Sequence, residues 1–178
     1  MRLGGLFFVG GILRYGAIFE VVDQFSCALI DEFGRALADH VGMAIVFREL
    51  KAGRLKLDDQ FKVSEHAWRT GGAPSGGSAM FAPLNTMVSI SDLIQGITVQ
   101  SGNDAAIILA EGIGGTEEAF AKQMTEYSRT IGLEKSTFVN ATGLPAEGHL
   151  MTVRDLATLA RHLIYTYPEY YHFFGEKE

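Results

Sequence analysis

From residue 42 onward, apolar side chains recur along the chain at the spacing of a helix. In the stretch 42–52 the apolar residues Met43, Val46, Phe47 and Leu50 are three or four positions apart, which places them on one helical face. The same periodicity predicts further helices over residues 91–100, 104–113, 116–132 and 152–168. The stretch 104–113 is apolar almost all round, as is typical of a helix buried on every side.

Polar residues mark the expected ends of these helices. Ser91, Thr116 and Thr152 stand where an N-terminal cap is expected, because a short oxygen-bearing side chain can accept a hydrogen bond from a free backbone N–H group. Thr152 with Asp155 is similar to a capping box, with Asp in place of the usual Glu or Gln. Pro168 cannot continue a helix and predicts the end of the last one.

Strand signals are confined to the first 40 residues. The apolar run FSCALI (25–30), the turn residues DEFG (31–34) and the run RALA (35–38) predict a β-hairpin. Residues 55–63 are short, polar and irregular, and residues 70–78 (TGGAPSGGS) predict a loop. Because an isolated hairpin is at best marginally stable in water, the predicted sheet is incomplete.

The N-terminal segment 1–24 allows two interpretations. An uncharged run of eleven residues, LGGLFFVGGIL (3–13), lies between Arg2 and Arg14. The run is too short to span a bilayer as a helix, but it fits the apolar region of a secretory signal. The alternative is a buried strand or a short core helix. Any membrane association is expected only through this segment.

Composition narrows the class of protein. A length of 178 residues favours a single domain. A formal net charge of −6 argues against nucleic-acid binding, which needs clustered Lys and Arg. The single cysteine, Cys27, excludes an internal disulfide and a Cys-rich zinc site. The five histidines show no paired metal-binding spacing, so we expect no metal and no organic cofactor.

One short motif can carry chemistry. Ser101-Gly102-Asn103 lies in a polar turn between two apolar segments. A hydroxyl and an amide at this spacing can face one cleft, where the hydroxyl relays a proton and the amide holds a carbonyl. The tripeptide alone has a simpler interpretation, because Ser or Asn before a helix is commonly just a cap.

The surroundings of this motif resemble a known family. The run 97–161, which begins ITVQSGNDAAIILAEG and ends GLPAEGHLMTVRDLATLAR, is similar to the serine D-alanyl-D-alanine carboxypeptidases, the low-molecular-weight penicillin-binding proteins. The upstream stretches VFRELKAGRLKLDDQFKVSEHAWRTGG and SGGSAMFAPLNTMVSISDLIQG resemble the same family, as does ALIDEFGRALADH. The resemblance covers roughly residues 25 to 172 and implies an α+β fold of the β-lactamase/transpeptidase type, here mostly its helical subdomain plus an N-terminal β-hairpin.

The resemblance implies a reaction and a location. Family members combine Ser-x-x-Lys, Ser-x-Asn and Lys-Thr/Ser-Gly motifs in one cleft and hydrolyse peptidoglycan stem peptides ending in D-Ala-D-Ala through an acyl-enzyme. Carried over to this chain, Ser101 and Asn103 are the expected catalytic and substrate-binding residues. The implied ligands are the stem peptide and, in intact relatives, β-lactams, and the implied location is the bacterial cell envelope or periplasm.

The other two motifs are absent. No Ser in the chain has a Lys three residues later. A gapless comparison puts Ala36 in place of the Ser and Asp39 in place of the Lys. A second comparison, which we favour because it leaves the hairpin intact, keeps GRALADH as the returning strand and places a deletion between His40 and Gly42. No Lys-Thr-Gly occurs before the chain ends at Glu178.

Three functional hypotheses follow from these absences. Residues 25–178 are expected to form a partial carboxypeptidase catalytic domain that is inactive as written. The alternatives are a non-catalytic relative that binds peptidoglycan or protein, and a truncated, non-functional gene product.

Overall fold

The computed structural model of the chain describes residues 39–176, and the predicted N-terminal segment and hairpin lie outside that range. The described elements are α1 (Asp39–Lys51), β1 (Gln60–Lys62), a π-helical turn (Ala67–Gly71), a 3-10 turn (Ala73–Ser75), β2 (Met87–Ser89), α2 (Ile90–Gln100), α3 (Asn103–Gly114), α4 (Glu117–Thr130), α5 (Val153–Thr166) and a last 3-10 turn (Tyr171–Gly175). No helix within this range is long and apolar enough to cross a bilayer.

Helix α3 forms the centre of the described part of the chain. Every residue from 104 to 110 is buried, and α2, α4 and the π-helical turn all pack against the helix. The prediction of a buried central helix is confirmed. These neighbours surround residues 104–110, which explains why that stretch is apolar on nearly all sides.

Two of the three predicted caps are confirmed, and one is wrong. The hydroxyls of Thr116 and Thr152 each accept a hydrogen bond from the backbone N–H three residues on. Helix α2 is capped instead by Ser89, whose hydroxyl accepts from the Asp92 N–H at 3.1 Å. Ser91 therefore lies within α2. The signal was ambiguous because Ser89 and Ser91 both precede an apolar run.

The capping box predicted at Thr152 is only half formed. The Thr152 hydroxyl accepts from the Asp155 N–H at 3.1 Å, but the Asp155 carboxylate points to another part of the chain. It accepts from the Lys135 N–H at 3.0 Å and from the Ser136 hydroxyl at 2.7 Å. Asp155 therefore ties the α4–α5 connection to the start of α5.

Helix α1 begins earlier than predicted. Asp39 and His40 belong to its first turn, so the assignment of these two residues to a returning strand is wrong. The helix extends into this region because Val41 and Met43 are completely buried there. Burial of these side chains outweighs the weak strand preference of the polar pair that precedes them.

The expectation that strands are confined to the first 40 residues is also wrong. Strands β1 and β2 pair antiparallel, with Phe61 opposite Val88. Both strands have only three residues, and the side chains within them are exposed or half-buried. Such short segments carry no readable alternation, and residues 55–63 therefore looked irregular.

An aromatic cluster joins the first described helix to the last described segment. Phe47 of α1 is completely buried and lies within 6.4 Å, centroid to centroid, of four rings that follow α5: Tyr167, Tyr170, Phe173 and Phe174. Lys51 adds a polar tie, since its ammonium donates to the Thr166 carbonyl at 2.7 Å and pairs with Glu169 at 3.0 Å. The two ends of the described chain are thus packed together.

Candidate functional site

Ser101 terminates helix α2 in an unusual backbone conformation. Its φ of 51° and ψ of 41° are left-handed, and its N–H donates to the Ile97 carbonyl at 3.0 Å. A left-handed residue after a helix is normally Gly, because other side chains are strained there. The side chain of Ser101 is exposed. The chain therefore accepts backbone strain at a position where a hydroxyl is exposed to solvent.

Gly102 allows the turn to pack closely against its neighbours. The residue is buried, and its N–H donates to the Gly96 carbonyl at 2.9 Å. A Cβ at this position would lie only 3.0 Å from both the Gly96 carbonyl oxygen and the Met80 nitrogen. Glycine is therefore favoured here, because any side chain would be tight against both of these backbone atoms.

Asn103 begins α3 and faces the Gly-rich loop. Its N–H donates to the Ser78 carbonyl at 2.9 Å, and its side-chain Nδ2 lies 3.0 Å from where a Cβ on Gly77 would sit. The N-cap of α3 is Gly102, with no side-chain capping bond. The interpretation of Ser101 or Asn103 as an ordinary cap of this helix is therefore wrong.

Asp104 holds the loop beside this turn, and the sequence analysis did not single it out. Its carboxylate is fully buried. Oδ1 accepts from the Met80 N–H at 2.9 Å and the Ala105 N–H at 3.0 Å, and Oδ2 accepts from the Ala82 N–H at 3.1 Å. An acidic residue followed directly by a fully apolar helix was the available signal, because such a buried carboxylate must find donors.

Between the two loop amides that Asp104 binds lies Phe81. Its φ is 61°, and 65% of its surface is exposed. Positive φ is uncommon for a bulky residue. The hydrogen bonds from the Met80 and Ala82 N–H groups to the Asp104 carboxylate keep Phe81 in this conformation. The loop 78–82 consequently forms a fixed wall next to Ser101-Gly102-Asn103.

Asp39 lies near the back of the same turn. Its side chain is almost buried, and it lines a small internal cavity together with Ile97 and Ala106. Each of these two residues is bonded to the turn, Ile97 through the Ser101 N–H and Ala106 through the Gly102 carbonyl. The start of α1 therefore approaches the Ser-x-Asn turn from the core side.

A separate buried polar network lies between α4 and α5. The Tyr127 hydroxyl is 2.9 Å from His162 Nε2 and 3.0 Å from the Tyr167 hydroxyl. His162 Nδ1 lies 3.2 Å from the Thr166 hydroxyl, and the Arg48 guanidinium lies 4.8 Å from the Tyr127 ring centre.

Burial shifts the titration of this network in two directions. Desolvation lowers the pKa of His162. Desolvation, helped by the hydrogen bond with Tyr167, raises the pKa of Tyr127. Both shifts favour the neutral forms. The network thus stays uncharged at neutral pH, and it is distinct from the Ser-x-Asn turn.

Among residues 39–176 no group of three or more His, Cys, Asp or Glu side chains could hold a metal ion. His66 forms one pair of a histidine with a carboxylate, since its Nε2 lies 3.1 Å from Glu117 Oε2. The other oxygen of Glu117 accepts from the Ala141 N–H at 3.0 Å. Glu117 therefore serves to join the start of α4 to the 140–148 loop.

Comparison with known proteins gives consistent results. The family model described as D-alanyl-D-alanine carboxypeptidase matches residues 37–178. The D-alanyl-D-alanine carboxypeptidase DacC of Escherichia coli is 42% identical over 135 residues, which are 75% of this chain and 34% of that protein. This chain therefore spans about a third of the length of that relative.

Solved structures agree with the sequence relatives. The D-alanyl-D-alanine carboxypeptidase DacD from Francisella tularensis superposes with a TM-score of 0.75 at 40% identity, covering 79% of this chain and 33% of that one. Penicillin binding protein 5 from Haemophilus influenzae gives 0.74 at 34% identity, covering 79% and 40%.

These neighbours confirm the predicted fold class, a helical subdomain of the β-lactamase/transpeptidase type. The described helices are thus part of a fold that this chain shares with these structures. The chain belongs to the D-alanyl-D-alanine carboxypeptidase family.

Proposed function

We propose that this chain recognises peptidoglycan stem peptides ending in D-Ala-D-Ala in the bacterial cell envelope, and that it does not turn them over. The single observation that carries the proposal is the Ser101-Gly102-Asn103 turn, exposed at Ser101 and set against the loop that Asp104 holds. Family membership supplies the substrate class.

The two side chains can fulfil complementary binding roles. The Asn103 amide can donate to a peptide carbonyl through Nδ2 and accept from a peptide N–H through Oδ1. The Ser101 hydroxyl can donate and accept in the same contact. Within residues 39–176 neither side chain is engaged in a hydrogen bond, so both are available to a ligand.

The proposal of no turnover rests on the start of α1. The family uses a Ser-x-x-Lys nucleophile at a helix start, and no such pair occurs in this sequence. Asp39 takes the Lys position in the gapless comparison, so a carboxylate replaces the amine. Loss of a nucleophile removes the covalent route and commonly costs several orders of magnitude in rate.

The test uses the full chain and a short acylated peptide ending in D-Ala-D-Ala, with the same peptide ending in D-Ala-L-Ala as the stereochemical control. Isothermal titration is expected to show saturable binding of the first peptide only. Asn103→Ala is expected to weaken binding about three- to tenfold, the loss of roughly one hydrogen bond. Gln123→Ala, an amide truncation on α4, is the matched control and should leave binding unchanged.

Turnover is measured in the same samples by mass spectrometry. We expect no release of D-Ala and no adduct on the chain after incubation with a penicillin. Release of D-Ala by the parent chain but not by Ser101→Ala would contradict the absence of turnover. A stoichiometric adduct of the chain with the penicillin would contradict it as well. Equal binding of both peptides would contradict the recognition role. Absence of binding would also contradict it, provided that the chain is shown to be folded by a cooperative melting transition.

A further inference from the structure

An open groove borders the Ser-x-Asn turn. Its volume is about 850 Å³, and its walls are one side of α2, the loop beside the turn and the end of the described chain. Two lining residues connect the groove to the turn. Gly96 accepts a hydrogen bond from the Gly102 N–H through its carbonyl, and Gln100 directly precedes Ser101. A ligand held at the turn can therefore extend into this groove.

Much of the groove surface is apolar, and part of it is fixed in place. Phe81 and Met87 line the groove and are 65% and 53% exposed, and the half-buried Val99 lies in the same lining. The Phe81 backbone is held by the hydrogen bonds of its two neighbours to Asp104. Contiguous exposed apolar surface usually marks a contact with a ligand or another molecule. The groove thus offers an aliphatic group a preformed contact surface.

The groove also carries negative charge. Its lining includes Asp92 and Glu176 and, among the described residues, no Lys, Arg or His. Glu176 is held against α2, because its Oε2 accepts from Gln95 Nε2 at 2.9 Å, and its Oε1 lies 4.0 Å from His172 Nε2. Asp92 Oδ2 accepts from the Ser89 hydroxyl at 2.6 Å. Two carboxylates without a cation in the lining favour a positively charged ligand group.

We propose that this groove binds the side chain of the residue that precedes D-Ala-D-Ala, and that it selects an aliphatic side chain ending in an ammonium group, as in lysine. This role of the groove rests on the proposed function, which places D-Ala-D-Ala at Ser101 and Asn103. The methylene stem packs on Phe81 and Val99, and the ammonium group pairs with Glu176. Such a side chain is apolar along its stem and charged at its end, which matches the groove.

The dimensions of peptide and groove agree. Gln95, which holds Glu176, lies six residues before Ser101, a helical rise of about 9 Å along α2. One extended peptide residue advances about 3.4 Å. An extended four-carbon side chain with its ammonium group adds roughly 6 Å. The ammonium group of the residue before D-Ala-D-Ala can therefore reach the Glu176 carboxylate.

The test compares two peptides of equal shape, acetyl-Lys-D-Ala-D-Ala and acetyl-norleucine-D-Ala-D-Ala, by isothermal titration into the full chain. Norleucine has the same methylene stem and no ammonium group. The lysine peptide is expected to bind about three- to tenfold more tightly at low salt, since a partly exposed charged contact is worth about 1 kcal/mol. This preference should shrink as the salt concentration rises, because salt screens such a contact.

Equal binding of the two peptides, or tighter binding of the norleucine peptide, would overturn the role of the groove and leave the proposed function standing. Binding of neither peptide by a chain with a cooperative melting transition would overturn both.

Glu176→Gln tests the charged contact. The variant removes the charge but can still accept a hydrogen bond from Gln95. The lysine peptide is expected to weaken to the level of the norleucine peptide, whose affinity should not change. Glu134→Gln, on an exposed carboxylate outside the groove, is the matched control and should keep the full preference. An undiminished preference in Glu176→Gln would contradict the assigned ion pair.

Phe81→Ala tests the apolar contact. Both peptides are expected to weaken about three- to tenfold, because the stem of either side chain loses buried apolar surface. Phe81→Leu should recover part of the affinity. Tyr165→Ala, on an aromatic residue that is 68% exposed and does not line the groove, should leave the binding of both peptides unchanged. Unchanged affinity in Phe81→Ala would overturn the packing of the stem on this ring.

Discussion

At the scale of single residues, Asp104 shows how a buried charge can organise a site. A carboxylate with no exposure is costly unless its oxygens are fully bonded. Asp104 meets that requirement with three backbone N–H groups, and it lies in the first turn of α3, where the helix dipole also favours a negative charge. The same bonds fix the loop beside Ser101 and Asn103.

We predict that Asp104→Asn destabilises the chain by about 1–3 kcal/mol, because the amide nitrogen would face one of the backbone N–H groups and leave that donor unbonded. Urea unfolding of the full chain measures this change, and hydrogen exchange at Met80 and Ala82 should become faster. Asp58→Asn removes an exposed carboxylate and is expected to stay within about 0.5 kcal/mol of the parent. Unchanged exchange at Met80 and Ala82 would contradict the role given to Asp104.

The sequence showed only part of this site. Ser101 and Asn103 could be found because a short motif and a family resemblance coincide at them. Asp104 could not, since its three donors come from a loop whose path depends on tertiary packing. Gly71 illustrates the same limit: a Cβ there would lie 2.6 Å from the Asp104 nitrogen, a contact that no local pattern reveals.

At the scale of elements, helices were predictable and strands were not. Helix α4 carries both a Thr116 cap and a regular apolar face, so local and tertiary preferences agree. Strands β1 and β2 have no such pattern, and their place depends on contacts with helices: β1 packs against α3, and β2 packs against α2. Gly112 of α3 lies directly under the Phe61 ring: a Cβ there would come within 2.1 Å of Phe61 Cδ2.

Gly112→Ala is therefore expected to destabilise the chain, although alanine is intrinsically better than glycine in a helix by about 1 kcal/mol. Insertion of a methyl group under a packed ring typically costs about 1–3 kcal/mol. Thermal or urea unfolding measures the net effect. Adding Phe61→Leu should recover part of the loss, since the smaller side chain gives way more easily. A Gly112→Ala chain more stable than the parent would show that β1 is not held by this contact.

At the scale of the whole molecule, the network of Tyr127, His162 and Tyr167 links α4, α5 and the segment after α5. Arg48 of α1 also reaches it, over the Tyr127 ring. The network is stable only in its neutral form, because burial opposes charge on both His162 and Tyr127. Protonation of His162 is therefore expected to weaken the contacts that join α4, α5 and the segment after α5.

This arrangement predicts a loss of stability on the acidic side. The pKa of His162 is lowered in the folded chain, so below its ordinary value of about 6.5 the unfolded chain binds a proton that the folded chain does not. The thermal midpoint should fall as pH decreases from 7 to 5. His162→Gln should flatten this decline, whereas His172→Gln, on an exposed histidine, should not. Identical slopes in all three chains would contradict the prediction.

The packing of Phe47 against Tyr167, Tyr170, Phe173 and Phe174 has a consequence for the order of events during synthesis. Helix α1 is translated early, but the rings that cover Phe47 leave the ribosome only after every other described element has been made. Contacts between such distant parts of a chain form late and slowly. The nascent chain therefore carries an uncovered Phe47 until residues 167–174 have been made, and exposed aromatic surface of this kind is what chaperones bind.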